Sequence, residues 1–384
     1  MRVARLSRGA VSWAETLAAD LLAASIRETA MPRVLICYPV AHLNPFQHLL
    51  YQGAEAAGFT VVPAVRVDEF AHAGWARRAV IHLHWLAAWL RFCKTPEDAA
   101  QAVRAADARL ADWRRRGYQI VWTVHNILPH GSRHLEAEVA LRRVAARRAH
   151  RIHVMSANTA DAVAAMYALP ASKVFHVPHP SYAGWYPAFR SRAAARADLD
   201  LPPGDFVFLF FGSLQPYKGV LALLEAYDAL RGQSGSRLRL VIAGKPSDAA
   251  YAREVGERVR GRADILYMPE SIPDAQVQTL FAASDVVVAP YVRTLNSGVA
   301  LLAATFGRMV VGPLAGAIRE TFEEDPALLY DAEAPEGLRD AMARAITHVP
   351  RADVLARILA RHEPADVSAR FFSHLKSDLN LAAR

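Results

Sequence analysis

Lys218 is the residue whose type and position most directly suggest chemistry. It lies in the run Phe208-Leu-Phe-Phe-Gly-Ser-Leu-Gln-Pro-Tyr-Lys-Gly219, where an apolar strand turns at Gly212 and Ser213 and a lysine follows at the start of a helical pattern. Free backbone N–H groups, the positive end of a helix dipole and a mobile ammonium can meet at such a point, and together they suit an anion. Downstream, Asn296-Ser297-Gly298 leads through Val299 into a second apolar helix, whose first N–H groups offer another anion seat. Two seats in one half of the chain fit a nucleotide diphosphate. The ammonium would offset the charge that gathers as a bond to a diphosphate leaving group breaks. Each element also has a plainer reading, as a turn around Pro216 and as a helix cap at Asn296 or Ser297.

Other polar residues share this placement just after a strand. Gly244 and Lys245 follow one apolar run, and Pro269, Glu270, Ser271 and Ile272 follow the next. Backbone groups there could read a base, and Glu270 could accept hydroxyl bonds from a ribose or sugar. In the first half, His125 and Asn126 with Pro129 and His130 follow one strand, His84 and Trp85 another, and Asn44-Pro45-Phe46 the first. Asn44, His84, Trp85 and Asn126 could line an acceptor pocket. Imidazole titrates near neutrality, so His125 or His130 could take a proton from an attacking hydroxyl. A single histidine at a strand end is ordinarily a structural donor, and the clustering is what favours function here.

Strands must carry these loops. Apolar runs at 34–38, 60–65, 80–84, 120–125, 151–155 and 173–177 alternate with helical patterns such as 99–115 and 135–149. A second series follows, with strands at 206–211, 239–243, 264–268, 285–289 and 309–311, and helices at 220–231, 274–283 and 299–306. That rhythm predicts βαβ units and parallel sheets. The fold class is α/β, with two Rossmann-like, doubly wound domains facing a cleft at the C-terminal ends of their strands. The expected boundaries are an extension at 1–30 with helical character, a first, acceptor-binding domain at 31–180, and a turn-rich connection at 181–203 with a helical stretch at 190–198. A second, nucleotide-binding domain follows at 204–365, and a closing helix at 366–384 crosses back toward the first.

At 384 residues the chain suffices for two cores. Two cysteines, Cys37 and Cys93, make no disulfide framework and place the chain by default in a reducing cytosol. No run reaches the ~20 apolar residues of a membrane span, and Glu15, Asp20 and Glu28 interrupt any signal-peptide pattern at the start. The net charge of +8 gathers in the first half, at Arg77, Arg78, Arg114–Arg116, Arg142, Arg143, Arg147, Arg148 and Arg151, near Trp75, Trp85, Trp89, Phe92 and Trp113. Basic residues beside aromatics suit peripheral docking on an anionic leaflet, and solvated helix faces are the alternative. The chain has no dinucleotide glycine fingerprint after the first strand, no Walker lysine loop, no nucleophile-elbow serine and no convincing zinc spacing.

Together, Asn44-Pro-Phe46, His82-Leu-His-Trp85, Thr123-Val-His-Asn126 with Pro129-His130, the run from Phe211 to Gly219, and Asn296-Ser-Gly-Val-Ala-Leu-Leu-Ala303 with Gly307-Arg308 resemble the GT-B glycosyltransferases. Within them the pattern is most similar to the β-mannosyltransferases of exopolysaccharide assembly. The resemblance implies transfer of a hexose, mannose from GDP-mannose first among them, to a lipid-linked or polyprenyl-linked saccharide. Lys218 and the Ser297–Gly298 amides would hold the donor diphosphate, and His125 would face the reacting sugar. Neither a divalent metal nor another cofactor would be needed, and nucleic acid would be no partner. Matching on Gly307 puts Thr294 and Leu302 where retaining members carry a pair of glutamates, and Ser213 stands near an expected arginine. Both departures favour an inverting reaction, with His125, His130 or Glu136 as base. The competing readings are a retaining transferase, a sugar-nucleotide epimerase on the same frame, and a basic membrane- or nucleic-acid-binding protein without activity.

Overall fold

The computed structural model describes residues 33–41, 44–66, 79–128, 132–233, 237–292 and 295–379. The expected extension at 1–30, His130, Thr294 and the Trp75–Arg78 part of the basic patch lie outside them. The chain divides into two compact units. One holds the described residues up to His179 together with those from Pro364 onward, and the other runs from Pro180 to Glu363.

The first unit is built on six parallel strands, β1 Arg33–Tyr38, β2 Phe59–Pro63, β3 Ala79–Leu83, β4 Gln119–Thr123, β5 Arg151–Val154 and β6 Val174–His176. Their order across the sheet is β2-β1-β3-β4-β5-β6. β3 is buried at every residue and β1 at all but Arg33. Near-continuous apolar strands of this kind belong in a parallel sheet covered on both faces. The helix expected at 99–115 starts three residues earlier, as Pro96–Arg115, because Thr95 and Asp98 form a reciprocal capping box and Pro96 occupies the first turn. The closing helix, Pro364–Asp378, packs in this unit against the helix Phe46–Tyr51. Val367, Phe371, Phe372 and Leu375 are fully buried there. Ser368 Oγ ties the two helices by donating to the Leu50 carbonyl (2.7 Å) and accepting from Gly53 N–H (2.9 Å).

The second unit repeats the plan with β7 Phe206–Phe211, β8 Leu238–Ala243, β9 Ile265–Met268, β10 Val286–Val288, β11 Met309–Pro313 and β12 Leu329–Tyr330, in the order β12-β11-β10-β7-β8-β9. β7 is central, and its core residues Val207, Phe208, Leu209 and Phe210 are fully buried. The connection at 181–203 carries the helix Arg192–Asp198, inside the helical stretch expected at 190–198, and it packs on Asp274–Ala283. Arg196 is 2% exposed and explains this. Its guanidinium donates to the carbonyls of Ala283, Pro202 and Pro203 and to Asp285, so a sequence rich in turn formers is pinned into the core.

The basic residues of the first half are mostly spoken for within the unit. Arg147 and Arg148 pair with Asp107, Arg151 with Asp378, and Arg142 with Glu138, while Arg114 and Arg143 donate to the carbonyls of Arg148 and Met166. Trp113 is fully buried. The basic-aromatic surface is therefore thinner than the sequence implies, with Phe92, 84% exposed beneath the Arg91 guanidinium, as its most prominent aromatic. Among the described residues no helix is long and apolar enough to cross a membrane.

Candidate active site

In the second sheet the chain leaves β7 toward β8 and β9 on one side, and β10 toward β11 and β12 on the other. The loops after β7 and β10 therefore flank a topological switch point, where parallel sheets bind ligands. The first loop opens at Gly212 (φ +119°) and passes through the short 3-10 turn Pro216–Lys218, capped by left-handed Gly219 (φ +71°). Lys218 thus precedes the helix Val220–Gln233 rather than sitting in its first turn. The second loop is held to the first by the Val292 N–H bond to the Tyr217 carbonyl (3.0 Å).

These loops bring Lys218 together with the Ser297–Val299 corner. The ammonium lies 3.1 Å from the point a Cβ on Gly212 would occupy, and Val299 Cγ2 lies 3.8 Å from the same point. Tyr291 joins the two sides. Its ring centroid is 5.8 Å from Lys218 Nζ, a cation–π distance, and its hydroxyl bonds with the Ser297 side chain. Ser297 also caps the helix Gly298–Thr305 by accepting from Ala300 N–H (3.3 Å). Burial lowers the Lys218 ammonium to about 8, and a bound polyanion would reverse that shift. Asn296 and Gly298 are half-buried beside the cap.

The remaining donor-side candidates sit farther along the sheet. Ser213 Oγ accepts from Gln215 Nε2 (3.1 Å). Gly244 follows β8 directly against Gly212, whereas Lys245, Glu270 and Ser271 are exposed and Ile272 half-buried beyond β8 and β9. Gly219 and Gly244 are backbone requirements. A Cβ at Gly219 would lie 2.1 Å from the Pro290 carbonyl oxygen, and one at Gly244 (φ +151°) would lie 1.9 Å from that of Gly212. Gly244→Ala is expected to cost about 3 kcal/mol or more, lowering the melting temperature by roughly 5–10 °C. Gly232→Ala, with open space around it inside a helix, should leave melting unchanged or raise it. Equal melting of the two variants would contradict the close fit of the β7 and β8 loops.

In the first unit the switch point lies between β1 and β3, and a run of buried polar groups lies beneath it. Alternation along strands puts His82 and His84, and Thr123 and His125, on common faces. Tyr51 Oη lies 2.6 Å from both His82 Nδ1 and His84 Nε2. His84 Nδ1 is 2.9 Å from His125 Nε2, His82 Nε2 is 2.6 Å from Thr123 Oγ1, and Thr123 Oγ1 is 2.9 Å from His153 Nδ1. His153 Nε2 ends the run at the Val177 carbonyl (2.8 Å). Phe371 of the closing helix stacks on His82 at 5.1 Å and meets His153 edge-on. At the other end, Trp85 stacks on His125 (4.3 Å, 19°), and Phe46 meets the same imidazole edge-on at 5.0 Å.

The acceptor-side candidates separate on this evidence of burial and bonding. His125 is half-buried at the strand end. His84, expected to line the acceptor pocket, is 1% exposed and supports His125 from behind. Asn44 is exposed and its Oδ1 accepts from Phe46 N–H (3.0 Å), shaping the loop after β1. Asn126 Oδ1 accepts from Arg142 (3.2 Å), which is itself buried against Glu138 (2.6 Å). Glu136 is exposed in the first turn of the helix Leu135–Arg148. Sequence reasoning missed Tyr51, Thr123, His153 and Tyr291. The repeated His and Thr at alternate positions of neighbouring strands was the available signal. Among the described residues no group of His, Cys, Asp or Glu could hold a metal ion.

Burial holds His82, His84 and His125 well below the ordinary histidine value and brings His153 to about 3, with mutual repulsion adding to the effect. These imidazoles are neutral in the fold but charge in the unfolded chain below about pH 6.5. The unfolded state then binds more protons, so stability falls as pH drops from about 6.5, by up to ~1.4 kcal/mol per pH unit for each group. Urea midpoints should fall only slightly from pH 8 to 7 and decline steeply between 6.5 and 5. A flat profile down to pH 5 would mean that the imidazoles charge without unfolding.

Residues 205–348 match the family described as glycosyl transferases group 1. Over 340 residues the chain is 28% identical to a GDP-mannose:glycolipid 4-beta-D-mannosyltransferase of Xanthomonas campestris pv. campestris, covering 85% of this chain and 87% of that protein. A D-inositol 3-phosphate glycosyltransferase of Rhodococcus jostii is 32% identical over 181 residues, 44% of this chain and 39% of that protein. Among solved structures, sucrose-phosphate synthase from Thermosynechococcus elongatus is similar at TM-score 0.69 and 15% identity, over 90% of this chain and 98% of that one. Anabaena HepE, in complex with UDP and glucose, gives 0.64 and 16%, over 90% and 99%. Two parallel-sheet Rossmann-like domains with these neighbours make the fold GT-B.

Proposed function

We propose that this chain, a glycosyltransferase of the GT-B fold, moves mannose from GDP-mannose to a saccharide carried on a lipid, with inversion at the anomeric carbon. The observation that carries the donor half of this reading is the meeting of the Lys218 ammonium with the Ser297–Val299 helix start over Gly212. Similarity across most of the chain to a mannosyltransferase named for GDP-mannose and a glycolipid supports the choice of sugar and acceptor.

In this mechanism Lys218 and the amides at Ser297 and Gly298 hold the diphosphate and stabilise it as it leaves. His125 takes the proton of the acceptor hydroxyl while that oxygen bonds to the anomeric carbon and the electron pair of the broken bond departs on GDP. Leu302, buried in its helix, supports inversion, because no carboxylate stands there to serve a retaining site. Glycolipid would be met at a membrane surface, with exposed Phe92 and Arg91 as the contact.

A thermal-shift panel of GDP, UDP, dTDP and ADP tests the donor, since a ligand that binds only the native state raises its melting temperature. GDP should give the largest rise. GDP release should then require both GDP-mannose and an alkyl glycoside or polyprenyl-linked saccharide, and the product should carry a β-linkage by proton NMR. An α-linked product would replace inversion by retention. Consumption of donor with no acceptor present would favour an epimerase.

A further inference from the structure

We propose that the buried run from Val177 to His125 is a one-directional hydrogen-bond chain that fixes His125 as the Nε2–H tautomer and so presents Nδ1 as its basic nitrogen. This rests on the reading of His125 as the base, and it assigns Thr123, His82, Tyr51, His84 and His153 as positioning residues for it.

The direction follows from the end of the chain. A carbonyl oxygen can only accept, so His153 Nε2, 2.8 Å from Val177 O, carries its proton. A neutral imidazole has one N–H, so His153 Nδ1 accepts from the Thr123 hydroxyl. Thr123 has then used its proton and accepts from His82 Nε2–H. His82 Nδ1 accepts from Tyr51, whose oxygen accepts in turn from His84 Nε2–H. His84 Nδ1 is left to accept from His125 Nε2–H, which puts the lone pair of His125 on Nδ1.

Each member is held neutral, as the argument requires. Burial keeps the three inner imidazoles uncharged and the Tyr51 phenol protonated. Cys37, which also bonds Tyr51, is pushed up to about 12 by burial, so its thiol can donate to the second lone pair of the phenol oxygen. Among the bonds of this run, the reversed chain fails only at Val177, where a lone pair would face a lone pair. One buried unmade bond of that kind lowers its population roughly ten- to hundredfold. When His125 Nδ1 receives the acceptor proton, Nε2–H stays bonded to His84, so the ring keeps its orientation as it charges.

Uniformly 15N-histidine-labelled protein tests this directly, because two-bond proton–nitrogen spectra distinguish pyrrole-type from pyridine-type ring nitrogens. His125, assigned through His125→Gln, should show a protonated Nε2 and a pyridine-type Nδ1. A proton on Nδ1 in the wild type would overturn the proposal. Thr123→Val, nearly equal in shape, cuts the chain. It should give a mixed His125 tautomer and at least a tenfold fall in kcat, with KM for GDP-mannose within twofold, and Thr123→Ser should restore both. A single Nε2–H tautomer and wild-type kcat in Thr123→Val would also overturn it. Failure of the base assignment looks different. His125→Ala would then turn over normally while the wild-type tautomer pattern stood.

Discussion

Lys218→Met should lower kcat by roughly 10³-fold, about 4 kcal/mol of lost transition-state stabilisation, with a smaller rise in KM for the donor. Methionine keeps most of the apolar stem and removes the charge that lies over the Tyr291 ring, so folding should be intact. The asymmetry between kcat and KM follows from where the charge grows. In the proposed reaction the diphosphate is already anionic when bound and gains negative charge as the glycosidic bond breaks, so the ammonium would matter most in the transition state. Lys218→Arg should fare little better, because a planar, forked guanidinium does not place its charge where a compact ammonium does beside Gly212 and Tyr291. The same site gives a pH signature. With the free amine at about 8, it loses its charge as pH rises through that value, so GDP binding should weaken by up to about tenfold per unit above pH 8. Wild-type kcat in Lys218→Met would remove this residue from the machinery.

What could be read in the sequence was whatever depends on a short stretch of chain. β7 and the helix Asp274–Ala283 were legible because a six-residue apolar run or a run of helix formers specifies its own state. Lys218 and Ser297 were legible as strand-end residues because parallel sheets put all such loops at one edge. The chain beneath His125 was not. It depends on the register that sets Thr123 opposite His153 across two strands, and on a C-terminal helix laying Phe371 over His82. The alternating His and Thr residues hint at a shared face, but neither the register nor Phe371 can be read from the sequence around His82. The arginines misled for a related reason. Their charge is visible in the sequence, but Asp107, Asp378 and the carbonyls that neutralise them come from distant segments. Tyr291, the ring between Lys218 and Ser297, reads in the sequence only as an aromatic after a strand.

His125→Ala should abolish most turnover, by roughly 10²–10⁴-fold, the usual worth of a positioned general base. The ring is sandwiched by Trp85 on one face and Phe46 at its edge, and His84 holds one nitrogen, so little freedom is left for it to lose on binding substrate. Its depressed pKa sharpens the expectation. Across pH 6–8 the imidazole is already in the basic form, so kcat/KM should show no acid limb from His125 near pH 6.5. The proposed donor seat belongs to the other compact unit, built on β7 and β10, so on that proposal the thermal shift produced by GDP should survive in His125→Ala and be lost in Lys218→Met. That crossed pattern separates a base from a donor ligand. Normal turnover in His125→Ala would move the base role to His130 or to exposed Glu136, and would leave the buried imidazoles with a purely structural duty.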